Sequence, residues 1–365
     1  MPQGFSPKVL AAVGGALTAV VLLTACGGTP ASSPTSTAAA APTPLPSGTL
    51  THVDIPPLKG SQAQFDIMVV DQDAHRLYAA DHTDNGIDVL DVSTQQAHYI
   101  RTLTGSSPND SPNGIVVAKD QNKLFAANTD STVTVFDLAS GKLIATLSTG
   151  GKGRADELDY DSKDHKVYVA NSDDGFVTVI DASSDSILKK IDNISKGSLE
   201  QPRYDPADGK VYLNLSDDNA IAEIDPTTDT VAKKFPIGVP CSPNGIGIDP
   251  AANEAVLGCS DTKNQQIVVW DLAAGKVVSS TKDSGAADAV AFDSADHRFI
   301  VAAAGYKKDG KADPHLSVFG GVPVAFQRAV PTVAGAHSVA YEETNHVAYI
   351  ADHLGGGLFA TPIAS

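Results

Sequence analysis

One pattern recurs along most of the chain and limits what it can fold into. Tyr160-Asp161, four residues, then Lys166-Val167-Tyr168-Val169-Ala170-Asn171 is echoed by Tyr204-Asp205, four residues, then Lys210-Val211-Tyr212. The turn position of this unit falls at Asp71, Ala118, Asp161, Asp205, Asp249, Asp293 and Glu342, with spacings of 47, 43, 44, 44, 44 and 49. Seven residues beyond each stand Tyr78, Phe125, Tyr168, Tyr212, Val256, Ile300 and Tyr349. A period near 44 repeated seven times means a solenoid or a propeller. A third alternating segment closes on an acid in most copies, at 87–91, 133–137, 177–181, 221–225 and 267–271, and a fourth follows, as at 142–147 and 230–235. Four short antiparallel strands per repeat make a propeller blade. The last copy stops after three strands, near Ile363, while residues 51–55 precede the first copy without partners. Pairing these ends would remove an exposed strand edge. The expected fold is therefore all-β: a seven-bladed β-propeller of four-stranded antiparallel blades over residues 50–365, its ring closed by the N-terminal strand.

Composition supports this and excludes other classes. The chain of 365 residues has 31 Gly, 22 Pro and two Met, which suits short strands and turns more than long helices. Its formal net charge of −17 repels phosphate backbones, so nucleic acid is not an expected partner.

Ahead of the repeats, residues 9–25 are an uncharged Ala/Val/Leu/Gly run behind Lys8, suited to the apolar part of a secretory signal. It ends at Leu23-Thr24-Ala25-Cys26, which resembles the bacterial lipobox. The resemblance implies a signal peptide over 1–25 and a lipid on Cys26 that anchors the mature chain to a membrane, at the cell surface or in the periplasm. Residues 26–49 are nearly all Gly, Ala, Ser, Thr and Pro and read as a flexible tether. An extracytoplasmic address favours a disulfide between Cys241 and Cys259, which strand pairing makes near neighbours, with two free thiols or a soft-metal pair as the alternatives.

Tyr168-Val169-Ala170-Asn171 followed by Val177-Thr178-Val179-Ile180-Asp181, with the other copies at the same period, resembles the YVTN-type propeller repeat of bacterial surface and periplasmic proteins. That family's motif consists of strand and turn residues, so it speaks to fold and not to function. Val269-Trp270-Asp271 echoes a WD repeat, but it holds the only Trp, and no Gly-His partner recurs.

In a propeller the first strand of each blade lines the channel. Five residues before each turn position stand Asp66, Asn113, Asp156, Glu200, Asn244, Asp288 and His337, all polar, whereas the positions after them are mostly apolar. A ring of polar groups at one channel mouth is expected, able to take a ligand. Its oxygens suit calcium or another divalent ion, with the alternative that they bind channel water and loops. Ser242-Pro243-Asn244-Gly245 and the segment from Glu200 to Gly209 resemble the metal-site segments of gluconolactonase, regucalcin and paraoxonase propellers. That resemblance implies a metal held by Glu200, Asn244 and Asp288, although those enzymes have six blades. A second constellation follows from strand pairing, which sets Asp81-His82 beside Asp66 and Asp352-His353 beside His337. These six residues would suit zinc, copper or manganese, with solvent-exposed strand ends as the plain alternative. The recurring turn acids and the acids closing each third strand read as groups that bond local backbone. No nucleophile elbow, phosphate loop, His-Glu-x-x-His or Cys-x-x-Cys is present. Residues 306–315 read as an extended loop, a lid or partner contact, with a mobile insertion as the plain alternative.

Two functions of different class follow. The first is a tethered monomeric scaffold that binds a surface protein, glycan or small ligand and catalyses nothing. The second is a divalent-metal hydrolase of lactonase type, with its site at the channel mouth.

Overall fold

In the computed structural model, which describes residues 46–56, 64–105 and 111–364, seven four-stranded antiparallel sheets stand in sequence order. Residues 1–25, Cys26 and most of the expected tether lie outside the described residues. Blade 1 spans 65–104, blade 2 112–148, blade 3 158–191, blade 4 199–236, blade 5 243–281, blade 6 290–331 and blade 7 336–362. The first strands end at Asp71, Ala118, Asp161, Asp205, Asp249, Asp293 and Glu342, which are the turn positions of the repeat. Blade 7 takes its fourth strand from the other end of the chain: Thr51–Val53 pairs antiparallel with Gly357–Pro362, setting Thr51 opposite Ala360 and Val53 opposite Leu358. Contacts at this seam begin at Ser47, where Gly48 N donates to Pro362 O at 2.9 Å and Ala364 N to Ser47 Oγ at 3.0 Å. No helix among the described residues is long and apolar enough to cross a membrane.

The second and third strands are mostly apolar on both sides because there each blade is buried on both faces, while the fourth strands are largely exposed. In the second strand of blade 1, Leu77 and Ala79 pack toward blade 7 with Tyr349 and Leu358, while Tyr78 and Ala80 pack toward blade 2 with Leu124 and Phe136. Opposite pointing of alternate residues produces this division. The core is accordingly seven layers, one between each pair of neighbouring blades, and the residues seven beyond each turn position are buried in them. Burying a large side chain of this kind contributes about 1.5–3 kcal/mol.

The turn after each first strand has one geometry throughout. Four residues past the turn position, His75, Asn122, His165, Gly209, Asn253, His297 and His346 all have positive φ. Gly209 meets this without a Cβ penalty, and Asn and His are among the side chains that tolerate it best. The turn acids accept backbone N–H groups within the turn, as Asp161 does from Lys163 at 2.9 Å and Asp249 from Ala251 at 3.0 Å. The strand-closing acids do likewise, Asp181 accepting from Ser183 at 2.8 Å and Asp225 from Thr227 at 2.9 Å. Asp249 also uses its second oxygen, which stands 2.9 Å from His297 of blade 6.

Cys241 and Cys259 form a disulfide at a Cα–Cα distance of 4.5 Å, joining the segment ahead of blade 5 to the end of its second strand. Residues 306–315 fold into a small hairpin, Lys307–Lys308 against Lys311–Ala312, between the second and third strands of blade 6. It is pinned to blade 5, with Lys307 N donating to Gln265 Oε1 at 2.7 Å.

Candidate functional site

The first strands do not begin smoothly. In blades 1, 2, 4, 5 and 7 the register with the second strand slips between Phe65 and Met68, Pro112 and Gly114, Leu199 and Pro202, Pro243 and Gly245, and Ala336 and Ser338. Asp66, Asn113, Glu200, Asn244 and His337 each lie inside such a bulge. A bulge leaves a residue outside the ladder and re-aims its side chain. In blades 3 and 6 the regular strand starts later, at Leu158 and Val290. There Asp156 and Asp288 hold their place by donating N–H to Ala170 O and Ala302 O.

Four of the ring positions, together with His82, form a chain across blades 5, 6, 7 and 1. Asn244 bonds Asp288. His337 Nδ1 stands 2.9 Å from Asp288 Oδ2, and its Nε2 stands 3.0 Å from Asp66 Oδ1. His82 Nε2 lies 3.5 Å from Asp66 Oδ2, and the His353 ring sits 4.9 Å from that of His337. Burial opposes charge on His337, but the two carboxylates outweigh it and raise its pKa well above the ordinary value. Burial likewise works against the Asp288 carboxylate, yet His337 and Asn244 hold its pKa below the usual range. This part of the ring is an imidazolium between two acids.

The other side of the ring is built differently. Asn113 turns its amide to Ala155 O at 2.7 Å, and Glu200 accepts from Ser198 Oγ at 2.6 Å. Arg154 stands just before the ring position of blade 3, with Nη2 3.0 Å from Asp156 Oδ2 and 3.4 Å from Ser172 Oγ. Burial lowers the Arg154 pKa, but Asp156, Asp173, Glu200 and Asp66 together raise it. Burial pushes Asp156 up to about 7 against the pull of Arg154, with Asp66, Glu200 and Asp288 adding repulsion. Glu200 is pushed up to about 7 by burial and by Asp288, against Ser198, Arg154 and His337. One channel mouth thus holds two carboxyls poised near neutrality, one held ionised, an imidazolium and a guanidinium.

Two residues expected beside this cluster point elsewhere. Asp81 pairs across from Phe65, but its Oδ1 accepts Thr83 N at 2.7 Å and Asp84 N at 3.3 Å, and it faces Asp88 inside blade 1. Blades 2 and 3 carry the neutral pairs Asn128–Thr134 and Asn171–Thr178 at these places. Two carboxyls there, buried together, push Asp88 up to about 7. Asp352 bends into its own loop, with Oδ1 accepting Leu354 N at 2.9 Å. The cause is common to both: a carboxyl at the end of a second strand is within reach of the free N–H groups of the turn that follows.

The donors do not fit a divalent cation. Both nitrogens of His337 face carboxylates, Asn244 Oδ1 accepts Ser216 Oγ at 3.0 Å, and Arg154 Nη2 already occupies a place 3.0 Å from Asp156 Oδ2. Among the described residues no group of three or more His, Cys, Asp or Glu is arranged to hold a metal.

Below the ring the channel opens into a cavity of about 210 Å³, walled by first-strand residues such as Ile67, Ile115, Phe292 and Val339 and by the charged Glu157, Asp159 and Arg203. Sequence periodicity finds the ring but passes over Arg154 and Glu157. Arg154 precedes the repeat unit. Glu157 carries a signal, since the residue after the ring position is Ile67, Gly114, Gln201, Gly245, Ala289 or Ser338 in the other six copies, and only here ionisable.

Residues 50–220 match the family model described as Lactonase, 7-bladed beta-propeller. No curated protein matches the chain. Among solved structures, a chain of a mitotic checkpoint complex superposes with a TM-score of 0.69 at 12% identity, covering 95% of this chain and 100% of that one. A chain of Kuenenia stuttgartiensis hydrazine synthase gives 0.69 at 16%, covering 84% and 97%. The WD40 repeats of RRP9 give 0.69 at 13%, covering 88% and 99%. At such identities these likenesses speak for the propeller fold alone.

Proposed function

We propose that the channel mouth is the active site of a metal-independent hydrolase that opens a small cyclic ester. The observation that carries this is Arg154, a half-exposed guanidinium set against the buried carboxyls of the ring, 3.0 Å from Asp156. The lactonase description of the family matched by residues 50–220 supports the same chemistry. Arg154 hydrogen-bonds the ester carbonyl and stabilises the negative charge that develops on its oxygen. Glu200, half ionised near pH 7, takes a proton from the attacking water. The water oxygen bonds to the carbonyl carbon, the bond from that carbon to the ring oxygen breaks, and Asp156 in its acid form protonates the departing oxygen. The product is a hydroxy acid. His337 and Asp288 do not touch the substrate in this scheme; their charges set the field in which Glu200 titrates.

Purified full-length chain, supplied with a panel of five- and six-membered lactones in EDTA, is expected to release acid in a pH-stat. Arg154→Gln should lower kcat by about 10²-fold, the usual cost of removing one donor to a developing oxyanion. Absence of acid release with every lactone, or an unchanged rate in R154Q, overturns the reading and leaves the binding scaffold in its place.

The cellular address is part of the same proposal: a chain processed at Cys26, lipidated there and held outside the cytoplasm, with repeats of YVTN type. The Cys241–Cys259 disulfide supports an oxidising compartment. Intact-mass measurement of the membrane-extracted protein is expected to find residues 1–25 removed and Cys26 acylated; a free N-terminal Met would contradict it.

A further inference from the structure

One carboxyl in the channel, Glu157, has no hydrogen-bonding partner for its side chain among the described residues. Glu157 is 6% exposed and borders the cavity below the ring. Among the described residues its side chain makes no hydrogen bond and no ion pair. The charged groups that face it come from every neighbouring tier: Asp156, Glu200 and Asp288 at the mouth, Asp159 on its own strand, and Arg203 on the first strand of blade 4. Arg203 favours the ionised form of Glu157 from a distance but makes no ion pair with it; its Nη1 donates to Pro202 O at 2.8 Å and its Nη2 to Gln201 Oε1 at 3.3 Å. Asp159 is already used, with Oδ2 accepting Tyr204 N at 2.7 Å. Of the charged side chains that line the cavity itself, Glu157 and Asp159 are acids and Arg203 is the one base. Glu157 is the acid left without a hydrogen-bond donor among the described residues.

We propose that the cavity is a binding site for a small organic ammonium ion, an alkylamine of a few carbons, with its cationic head at Glu157 and its aliphatic part against the strand walls. Size argues for an organic cation: 210 Å³ is several times the roughly 30 Å³ share of one water and far exceeds a bare ion. The absence of any three-ligand metal group among the described residues points the same way. Charge argues against an anionic guest, since Asp288 at the mouth is held ionised. Burial and the surrounding acids keep Glu157 protonated, its pKa raised well above the ordinary value, so an ammonium ion exchanges for that proton. The exchange balances: the alkylammonium enters, Glu157 becomes a carboxylate accepting its N–H groups, and one proton leaves to solvent. This proposal is independent of the lactonase reading, since neither Glu157 nor Asp159 takes part in that scheme.

The test is isothermal titration of the full-length chain at pH 7.5 with n-butylammonium chloride, run in two buffers of different ionisation enthalpy to count protons. Butanol and butyrate serve as neutral and anionic counterparts. Saturable binding of one butylammonium with release of close to one proton is expected, and by linkage the affinity should fall about tenfold at pH 6.5. Glu157→Gln, nearly isosteric with the protonated side chain, should abolish the proton release and weaken binding at least tenfold. The pH dependence is read on the unaltered chain, so it decides the matter even if E157Q does not fold. Butanol binding as tightly as butylammonium, binding without proton release, or no saturable binding of butylammonium overturns the proposal.

Discussion

His337 stands between two carboxylates, and that position decides its protonation state. With Asp288 on one nitrogen and Asp66 on the other, the imidazolium persists through the range in which a free histidine titrates. Nitrogen chemical shifts of His337 followed from pH 5 to 8 are expected to stay those of the doubly protonated ring; a titration centred near 6.5 would remove the charge assigned to it. At the opposite end of blade 6, Arg298 is nearly enclosed, reaching Asp293 at 2.8 Å, Tyr341 Oη at 3.0 Å and Ala364 O at 2.8 Å. Arg298→Met leaves the fully buried Asp293 without its counter-charge, and breaking such a pair costs about 3–5 kcal/mol, measurable by urea unfolding. Residues of this kind were only partly legible. Asp66, Glu200 and His337 follow from counting, because their positions repeat in every copy. Arg154 and Asp81 do not: the first acts from a linker without period, and the second turns inward to bond its own loop, a choice made by free N–H groups that no spacing displays.

At the level of strands the sequence was far more informative, since each blade repeats the same physical problem. A second strand buried on both faces must be apolar through its middle, its turn must supply a residue tolerant of positive φ, and an acid opens that turn in six of the seven blades, at fixed offsets from Asp71 to Glu342. The bulges that aim the ring were not visible, because a slipped register leaves composition unchanged. Nor was the hairpin at Lys307–Ala312, whose Lys, Asp and Gly content reads as plain loop. The disulfide is an element of the same scale. It closes a loop with a sequence separation of 18 residues, and removing it by Cys241→Ser with Cys259→Ser is expected to cost about 3 kcal/mol, checked by denaturant midpoint at unchanged slope.

For the whole molecule, the buried acids set an unusual pH profile. Asp88, Asp156 and Glu200 are each pushed up to about 7, and Glu157 is raised well beyond its ordinary value. In the unfolded chain such groups titrate near about 4. Between these limits the folded chain holds protons that the unfolded chain releases, so their contribution to stability is complete below about pH 4 and is lost as pH rises through about 7. Carboxylates held low, such as Asp225 at about 2, act with the opposite sign but only below about pH 4. The melting temperature is therefore expected to be highest near about pH 4 and to decline toward about pH 8; calorimetry showing a rise over that interval would contradict the burial assigned to these groups. EDTA should leave the same curve unmoved, since the ring's charges are answered by Arg154 and His337.

The seam between Thr51–Val53 and Gly357–Pro362 joins residues 309 apart in sequence, as in the bond from Thr51 Oγ1 to Ala360 O. On a ribosome adding about 5–20 residues per second, the first strand made waits on the order of 15–60 s for the last. By the time Pro331 has been made, near the end of that interval, six blades have every strand they need and the seventh does not yet exist. The earliest segment of the propeller to emerge is thus the last to find its place.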